Sequence, residues 1–191
     1  MPKMLKVTLC LLLMSLFPVS GIPQTGKQSI FKCVNGLVSF TSEAPLETIF
    51  AESKELRGII DTSKNTFAFS VAMVTFEGFN SPLQKEHFNE NYMESTMYPT
   101  ATFSGKIIES IDYLQLGIVE IRAKGVLNIH GVKQERIIKG TIEVGDNRLK
   151  IHSEFSITMI DYNIRTPKIV HQKIAPEISL KIDAVLIPTP Y

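Results

Sequence analysis

The chain has 191 residues, with 20 basic and 19 acidic side chains and a formal net charge of +1. Because the charges nearly cancel and Lys and Arg form no long run, electrostatic binding of nucleic acid has no basis in the sequence. A chain of this length makes one ordinary domain with a sizeable core.

Residues 1–21 have the features of a secretory signal. Two lysines precede an apolar run over residues 7–17, and small residues precede a plausible cut after Gly21. The run is well short of the roughly 20 apolar residues that cross a bilayer. We therefore predict a signal peptide over 1–21 and one domain over 22–191. The mature protein is then periplasmic or secreted, with no transmembrane anchor after cleavage.

Eight segments of the mature chain are predicted to be strands. They are bounded by turn residues, and the clearest of them are apolar at every second position, which is the pattern of a half-buried strand. In the third segment the large apolar residues of one face are Phe67, Phe69, Val71 and Met73. The turn-rich stretches 61–65 and 145–147 predict hairpin loops. The segments begin near Val34, Glu47, Thr66, Tyr98, Tyr113, Val132, Arg148 and Glu177.

One short helix is predicted between the third and fourth strands. Ser81 suits its N-cap, Pro82 its first position and Gln84 the third position of a capping box. The inward stripe of this helix would be formed by Leu83, Phe88 and Tyr92. Residues 161–176 show no clear alternation and contain two prolines, so they predict a long loop with room for a short helical turn.

These elements predict a mainly β protein with about eight antiparallel strands in a single domain. Closing eight strands into a barrel removes the exposed edges that invite aggregation. Such a barrel leaves an interior just wide enough for packed side chains or one small ligand. A sandwich would use the same inward faces, so the pattern leaves both architectures open.

Several segments of the chain, in the same order, resemble sequence motifs of the YceI-like family. Residues 84–95 followed by Met97-Tyr98-Pro99-Thr100-Ala101-Thr102-Phe103 are similar to its helical stretch and next strand, and residues 125–132 to its Gly-x-Leu element. The resemblance runs from about Val34 to Ile187. It implies a lipocalin-like antiparallel β-barrel, exported to the periplasm or beyond, that holds a long isoprenoid or similar lipid in an apolar channel. Many members have a late Arg-Asp-Phe-Gly stretch, where this chain has Ile160-Asp161-Tyr162-Asn163.

The alternation and the resemblance together predict a lipid-binding protein. A long apolar chain gains about 25 cal/mol for each Å² removed from water, so a channel needs few polar contacts to bind it. We expect a polyisoprenoid, quinone or acyl lipid, held by a carrier or reservoir that has no cofactor and no catalytic residue. The predicted barrel lining consists of Phe67, Phe69, Val71, Met73, Phe103, Val119, Ile121, Phe155, Ile157 and Met159.

The sequence is also compatible with two other functions. A fully packed barrel would act as an interaction module that binds a protein partner through its surface, and a homodimer is left open in either case. An enzyme acting on an apolar substrate would use the barrel mouth. For that case Asp161, Tyr162 and His171 are the late-loop residues to search, although the chain has none of the usual catalytic motifs.

The histidines and the cysteine have plainer interpretations. A zinc set can be assembled only from scattered residues: Glu86, His87, Glu90, His152 and His171. No His-Glu-x-x-His motif is present, so we predict no metal site. His130 precedes Gly131 in a predicted tight turn, where we expect it to be exposed. Signal cleavage would leave Cys33 as the remaining cysteine, which allows no intrachain disulfide and predicts a buried thiol.

Overall fold

The alternating apolar pattern corresponds to eight antiparallel strands that close into one barrel, which confirms the predicted fold class. The structure is a computed structural model that describes residues 29–189, so the predicted signal peptide lies outside the described residues. The strands are β1 (Ile30–Glu43), β2 (Thr48–Asp61), β3 (Thr66–Ala72), β4 (Thr100–Ile107), β5 (Gly117–Ile129), β6 (Val132–Gly145), β7 (Arg148–Thr158) and β8 (Glu177–Pro188). Each strand pairs with the next, and β8 returns to pair with β1, where Val38 lies opposite Ile182.

Six of the eight strands begin within two residues of the predicted position. The other two differ by four residues: β1 begins earlier, at Ile30, and β5 begins later, at Gly117. The strand β5 begins later because the residues around Tyr113 form a turn. In that turn Asp112 accepts a hydrogen bond from the Leu114 amide (2.9 Å), and the Tyr113 hydroxyl donates to the side-chain oxygen of Asn65 (2.7 Å).

The predicted helix is present as α1 (Pro82–His87), which continues into a π-helical turn (Phe88–Tyr92). The Ser81 hydroxyl accepts a hydrogen bond from the Gln84 amide at 3.2 Å, which confirms the N-cap. The Gln84 side chain accepts from the amide of Asn80 rather than from that of the cap residue (3.0 Å). Phe88 and Tyr92 are half-buried as expected, whereas Leu83 is 57% exposed at the rim of the barrel.

The two ends of the barrel differ. At one end, four aliphatic side chains are at most 1% exposed and fill the interior: Ile60, Ile142, Leu149 and Leu186. The link between β4 and β5 packs against this core through Ile111 and Tyr113, so we call this the packed end. At the opposite end lie α1 and the late loop (159–176), which contains the short 3-10 turns Met159–Tyr162 and Lys168–Val170. We call this the mouth.

A tight turn at the mouth joins β5 to β6. His130 (φ +51°) and Gly131 (φ +73°) both have left-handed backbone conformations, as a two-residue hairpin of this twist requires. A Cβ atom on Gly131 would lie 2.5 Å from the ring of Tyr98, so only glycine fits there. Among the described residues, no helix is long and apolar enough to span a membrane.

Candidate ligand-binding site

Two adjoining cavities occupy the interior of the barrel. The upper cavity has a volume of about 430 Å³ and lies at the mouth, beneath α1 and the late loop. The lower cavity has a volume of about 140 Å³ and lies deeper, towards the packed end. The residues that line both cavities are Val38, Val71, Ala101, Ile129 and Leu180. The upper cavity has the size of a small-molecule pocket, typically about 300–1,000 Å³.

Nine of the ten predicted lining residues border these cavities. The upper cavity is bordered by Val71, Met73, Ile157 and Met159. The lower cavity is bordered by Phe67, Phe69, Val71, Phe103, Ile121 and Phe155. Val119 lies outside both, packed against the core where it opposes Ile142 of β6. Contact of these side chains with a ligand stays a prediction.

The alternating pattern explains why these residues face the barrel interior, because every second side chain of a strand points inward. Phe69 illustrates the fit, since it lies opposite Gly58 of β2 and its ring covers that residue. A Cβ atom at Gly58 would lie 2.1 Å from the Phe69 ring, so the glycine makes room for the aromatic side chain inside the barrel.

An aromatic cluster, which the sequence analysis did not assign to the lining, joins α1 to the barrel wall. Phe88 stacks on Phe40 of β1 with ring centres 5.4 Å apart, and it also contacts Phe76 (5.8 Å) and Phe79 (5.1 Å). All four rings border the upper cavity. For Phe76, Phe79 and Phe88, the signal that could have found them is the density of aromatic residues between 76 and 92, a span that contains no strand alternation.

The late loop forms the other side of the upper cavity. Its apolar residues Ile164, Val170 and Ile174 border the cavity. The loop is anchored to β1, because the buried Ser42 hydroxyl accepts a hydrogen bond from the Ala175 amide at 2.9 Å. The loop could be predicted from the sequence, but its aliphatic residues could not be assigned to the site, because they follow no strand period.

Polar groups are confined to the rim of the upper cavity. Glu47, the residue before β2, accepts hydrogen bonds from the side-chain amides of Gln84 (3.0 Å) and Asn80 (3.2 Å), which ties the start of β2 to the start of α1. His87 and Lys173 are exposed and also border the cavity. Neither of these two side chains has an ion-pair partner among residues 29–189.

His130 is buried, at 9% exposure, so its expected exposure was wrong. The left-handed turn places its ring between the segment after α1 and the late loop. Its Nε2 atom lies 2.7 Å from Oε2 of Glu94, and its Nδ1 atom lies 3.0 Å from the carbonyl oxygen of Tyr162. The ring also packs edge-on against Tyr98, with centres 4.5 Å apart.

The late motif ends in a residue whose backbone conformation suits glycine or asparagine. Asn163, where many members have glycine, has a left-handed conformation (φ +59°, ψ +18°), which asparagine tolerates better than most residues. The preceding Tyr162 is fully buried. Burial raises the pKa of its hydroxyl, although the nearby guanidinium of Arg136 acts in the opposite direction.

The residues proposed for an enzyme or a zinc site are not assembled into one. The Tyr162 hydroxyl is inside the protein, whereas Asp161 and His171 are exposed. His152 instead pairs with Asp183 of β8 at 2.7 Å. In the described part of the chain, no three His, Cys, Asp or Glu side chains are placed to hold a metal ion. Cys33 is buried, as predicted, and its thiol faces the carbonyl oxygen of Leu56 at 3.7 Å.

Solved structures with this fold share little sequence with the chain. A polyisoprenoid binding domain from Saccharophagus degradans, implicated in plant cell wall breakdown, has a TM-score of 0.71 at 11% identity, over 85% of this chain and 100% of that one. BcnA of Burkholderia cenocepacia has a TM-score of 0.66 at 16% identity, over 78% and 95%. The YCEI protein of Campylobacter jejuni has a TM-score of 0.58 at 14% identity, over 73% and 85%. At these identities the likeness shows the fold alone.

The family assignment comes from sequence. No curated protein matches the chain. The model of the YceI-like domain matches residues 32–186, which span all eight strands of the barrel except the terminal residues of β1 and β8. The chain therefore belongs to the YceI-like family.

Proposed function

We propose that this protein binds a long apolar ligand, acyl or isoprenoid-like, inside the barrel and acts as its carrier or reservoir. The observation that carries the proposal is the pair of adjoining cavities, whose walls are apolar except at the rim. A chain that enters these cavities leaves water and gains about 0.8 kcal/mol for each buried methylene group. The polyisoprenoid binding domain among the similar structures supports this ligand class by analogy of fold.

The proposal includes export. Residues 1–21 would be removed as a signal peptide, and the domain over 22–191 would work in the periplasm or outside the cell. In that setting the barrel would shield an apolar molecule from water between the place where it is released and the place where it is used. The support for this part is the basic start, the short apolar run and the small residues before Gly21.

One observation weighs against each of the two other functions. A packed interaction module needs an interior no larger than a few water molecules, at about 30 Å³ each, whereas the upper cavity alone has about 430 Å³. An enzyme needs a cluster of polar groups that reaches the substrate, and Tyr162 is fully buried whereas Asp161 and His171 are exposed.

The test is organic extraction of the natively folded, gently purified protein, followed by mass spectrometry of the extract. We expect one lipid in stoichiometric amount. A clean extract from protein made in a lipid-replete host, together with failure of the empty barrel to bind any apolar probe, would contradict the proposal and favour the interaction module.

A further inference from the structure

We infer that the barrel has a second opening besides the mouth, a slit in its wall between β6 and β7 through which an apolar ligand enters and leaves. The slit lies between residues 132–140 of β6 and 153–158 of β7, and the side chains of Gln134 and Arg136 close it. This inference rests on the proposed function and adds a route of access to it.

The pairing between β6 and β7 stops partway along the two strands. It covers residues 141–145 of β6 and 148–152 of β7. Beyond this part, β6 stays paired with β5 as far as Val132, and β7 stays paired with β8 as far as Thr158. Each strand is therefore held by its other neighbour, and along the slit each presents a free edge of the kind found at the side of an open sheet.

An interruption elsewhere in the wall is closed by backbone. The part of β2 before Arg57 has no partner in the short strand β3. The segment after β3 covers it instead, because the backbone groups of Glu52 and Glu77 exchange two hydrogen bonds of 2.8 Å. In the described part of the chain, no such backbone pairing joins the two edges of the slit.

Side chains bridge the slit where the backbone ladder is missing. The Arg136 guanidinium donates to the carbonyl oxygen of Ser156 (3.0 Å), and nearer the mouth the Gln134 side-chain amide donates to that of Asp161 (3.0 Å). Arg136 has no carboxylate within ion-pair distance among residues 29–189, so no ion pair fixes it across the slit. A side chain moves by rotation about its own bonds, whereas a ladder opens only when the backbone moves. This stretch of the wall therefore opens more easily than the paired stretches.

The lower cavity and an outer groove meet at the inner end of the slit. The groove is polar and runs over the outer faces of β5, β6 and β7. The residues that border both the groove and the lower cavity are Ile121, Lys139, Gly140 and Ser153. At this point Gly140 has no side chain to fill the wall, and the Ser153 hydroxyl donates to the Lys139 carbonyl oxygen at 2.6 Å. These four residues separate the lower cavity from the outer surface.

The inner side of the slit is apolar. Ile138 of β6 and Phe155 of β7 border the lower cavity, and Ile157 of β7 borders the upper cavity. On the outer side, Ile137 is 58% exposed beside the slit. An apolar chain that passes between the two edges thus stays in contact with aliphatic and aromatic side chains. Its passage requires two polar side chains to move and no paired strand to separate.

The closing side chain is tested by stopped-flow exchange of cis-parinaric acid, a fluorescent fatty acid, on the delipidated protein. Arg136→Ala should raise the association and dissociation rates together, each by about tenfold, as the loss of one hydrogen bond allows. The affinity should stay the same, because Arg136 borders neither cavity. Arg122→Ala is the matched control, since Arg122 borders the outer groove but bonds to Glu109 rather than across the slit. Equal rates in wild type and Arg136→Ala would overturn the inference.

The route itself is tested by linking the two edges. Ile137→Cys and Ser156→Cys provide one thiol on each strand, which a bifunctional methanethiosulfonate joins and dithiothreitol releases. The native Cys33 is buried and should stay unmodified. In the Arg136→Ala protein, the link should return both rates to those of the wild type, and dithiothreitol should restore the fast exchange.

The control for the link crosses an intact ladder. Ser156→Cys with Ser179→Cys joins two residues that lie opposite each other on β7 and β8, and this link should change neither rate. Rates that stay high with β6 linked to β7 would show that the ligand does not pass between these strands. In that case the ligand uses the mouth alone, and the proposed function stands. If cis-parinaric acid and every other apolar probe fail to bind the wild type, the proposed function fails and this inference with it.

Discussion

The buried imidazole of His130 lies between two acceptors, with Nε2 2.7 Å from the Glu94 carboxylate and Nδ1 3.0 Å from the Tyr162 carbonyl oxygen. Carboxylate and carbonyl groups can only accept, so the imidazole is the donor on this side of the turn. The side chain thereby joins the β5–β6 turn to the segment after α1 and to the late loop. Met93, which precedes Glu94, and Ile164, two residues after Tyr162, both border the upper cavity.

His130→Ala should lower the free energy of unfolding by about 2 kcal/mol, because it removes the buried ring's contacts with Glu94 and with the Tyr162 carbonyl. Urea denaturation measures this loss. His152→Ala is the matched control, since His152 is as close to Asp183 (2.7 Å) but its side chain is 44% exposed. An exposed pair of this kind contributes about 0–1 kcal/mol. Equal losses in the two variants would show that His130 does not join the mouth segments.

Phe88→Ala should loosen α1 from the barrel wall. The ring contacts Phe40, Phe76 and Phe79, so its removal leaves a void in the aromatic cluster and should cost about 2–4 kcal/mol of unfolding free energy. We also expect a bound fatty-acid probe to dissociate faster in stopped-flow measurements. Phe50→Ala, at a residue that is 41% exposed, serves as the control. An unchanged dissociation rate would mean that α1 does not gate the cavity.

Ala101→Phe should block passage between the two cavities. Ala101 borders both and lies opposite Val71, so a phenyl ring at this position occupies their junction. We expect the long-chain probe octadecanoate to lose at least tenfold in affinity, since its tail can no longer reach the lower cavity. Ala68→Phe places the same ring on the outer face of β3, where Ala68 is exposed, and should bind normally. Normal binding by both variants would place the ligand elsewhere.

Asn163 should be replaceable by glycine but not by valine. The left-handed conformation (φ +59°) suits glycine and asparagine, whereas a β-branched side chain there is strained by about 1–2 kcal/mol. Thermal unfolding should therefore show a lower Tm for Asn163→Val and little change for Asn163→Gly. If both variants unfold alike, the late loop does not depend on this backbone conformation.

Tyr113 should make the packed end sensitive to alkali. Burial raises the pKa of its hydroxyl to about 12, above the value of about 10 for an exposed tyrosine. The folded protein thus keeps this proton where the unfolded chain loses it, so stability falls as the pH rises from about 10 to about 12. Tyr113→Phe should reduce this fall in urea denaturation, and the difference absorbance at 295 nm between wild type and variant should show the late titration. A titration near pH 10 would contradict the burial of this hydroxyl.

The period-two alternation determined most of the barrel and much of its lining. Inward positions of a strand follow from the chain geometry alone, so residues such as Phe67, Ile121 and Ile157 could be assigned to the interior from their spacing. The helix start was equally local, because Ser81 caps the Gln84 amide three residues later and Pro82 occupies the first helical position. The left-handed turn at 130–131 could be located from its glycine.

The tertiary structure decided which residues of separate segments come into contact. The contribution of the late loop could not be predicted, since Ile164 and Ile174 reach the upper cavity through the anchoring of Ala175 to Ser42, which lies 133 residues away in sequence. The burial of His130 likewise depends on Glu94 and Tyr162, which approach it from different parts of the chain. Alternation fixes the face of a strand on which a side chain lies, but closure of the barrel sets the distances between strands and loops. The sizes of the two cavities, and with them the choice between a packed core and a ligand channel, therefore depend on long-range packing.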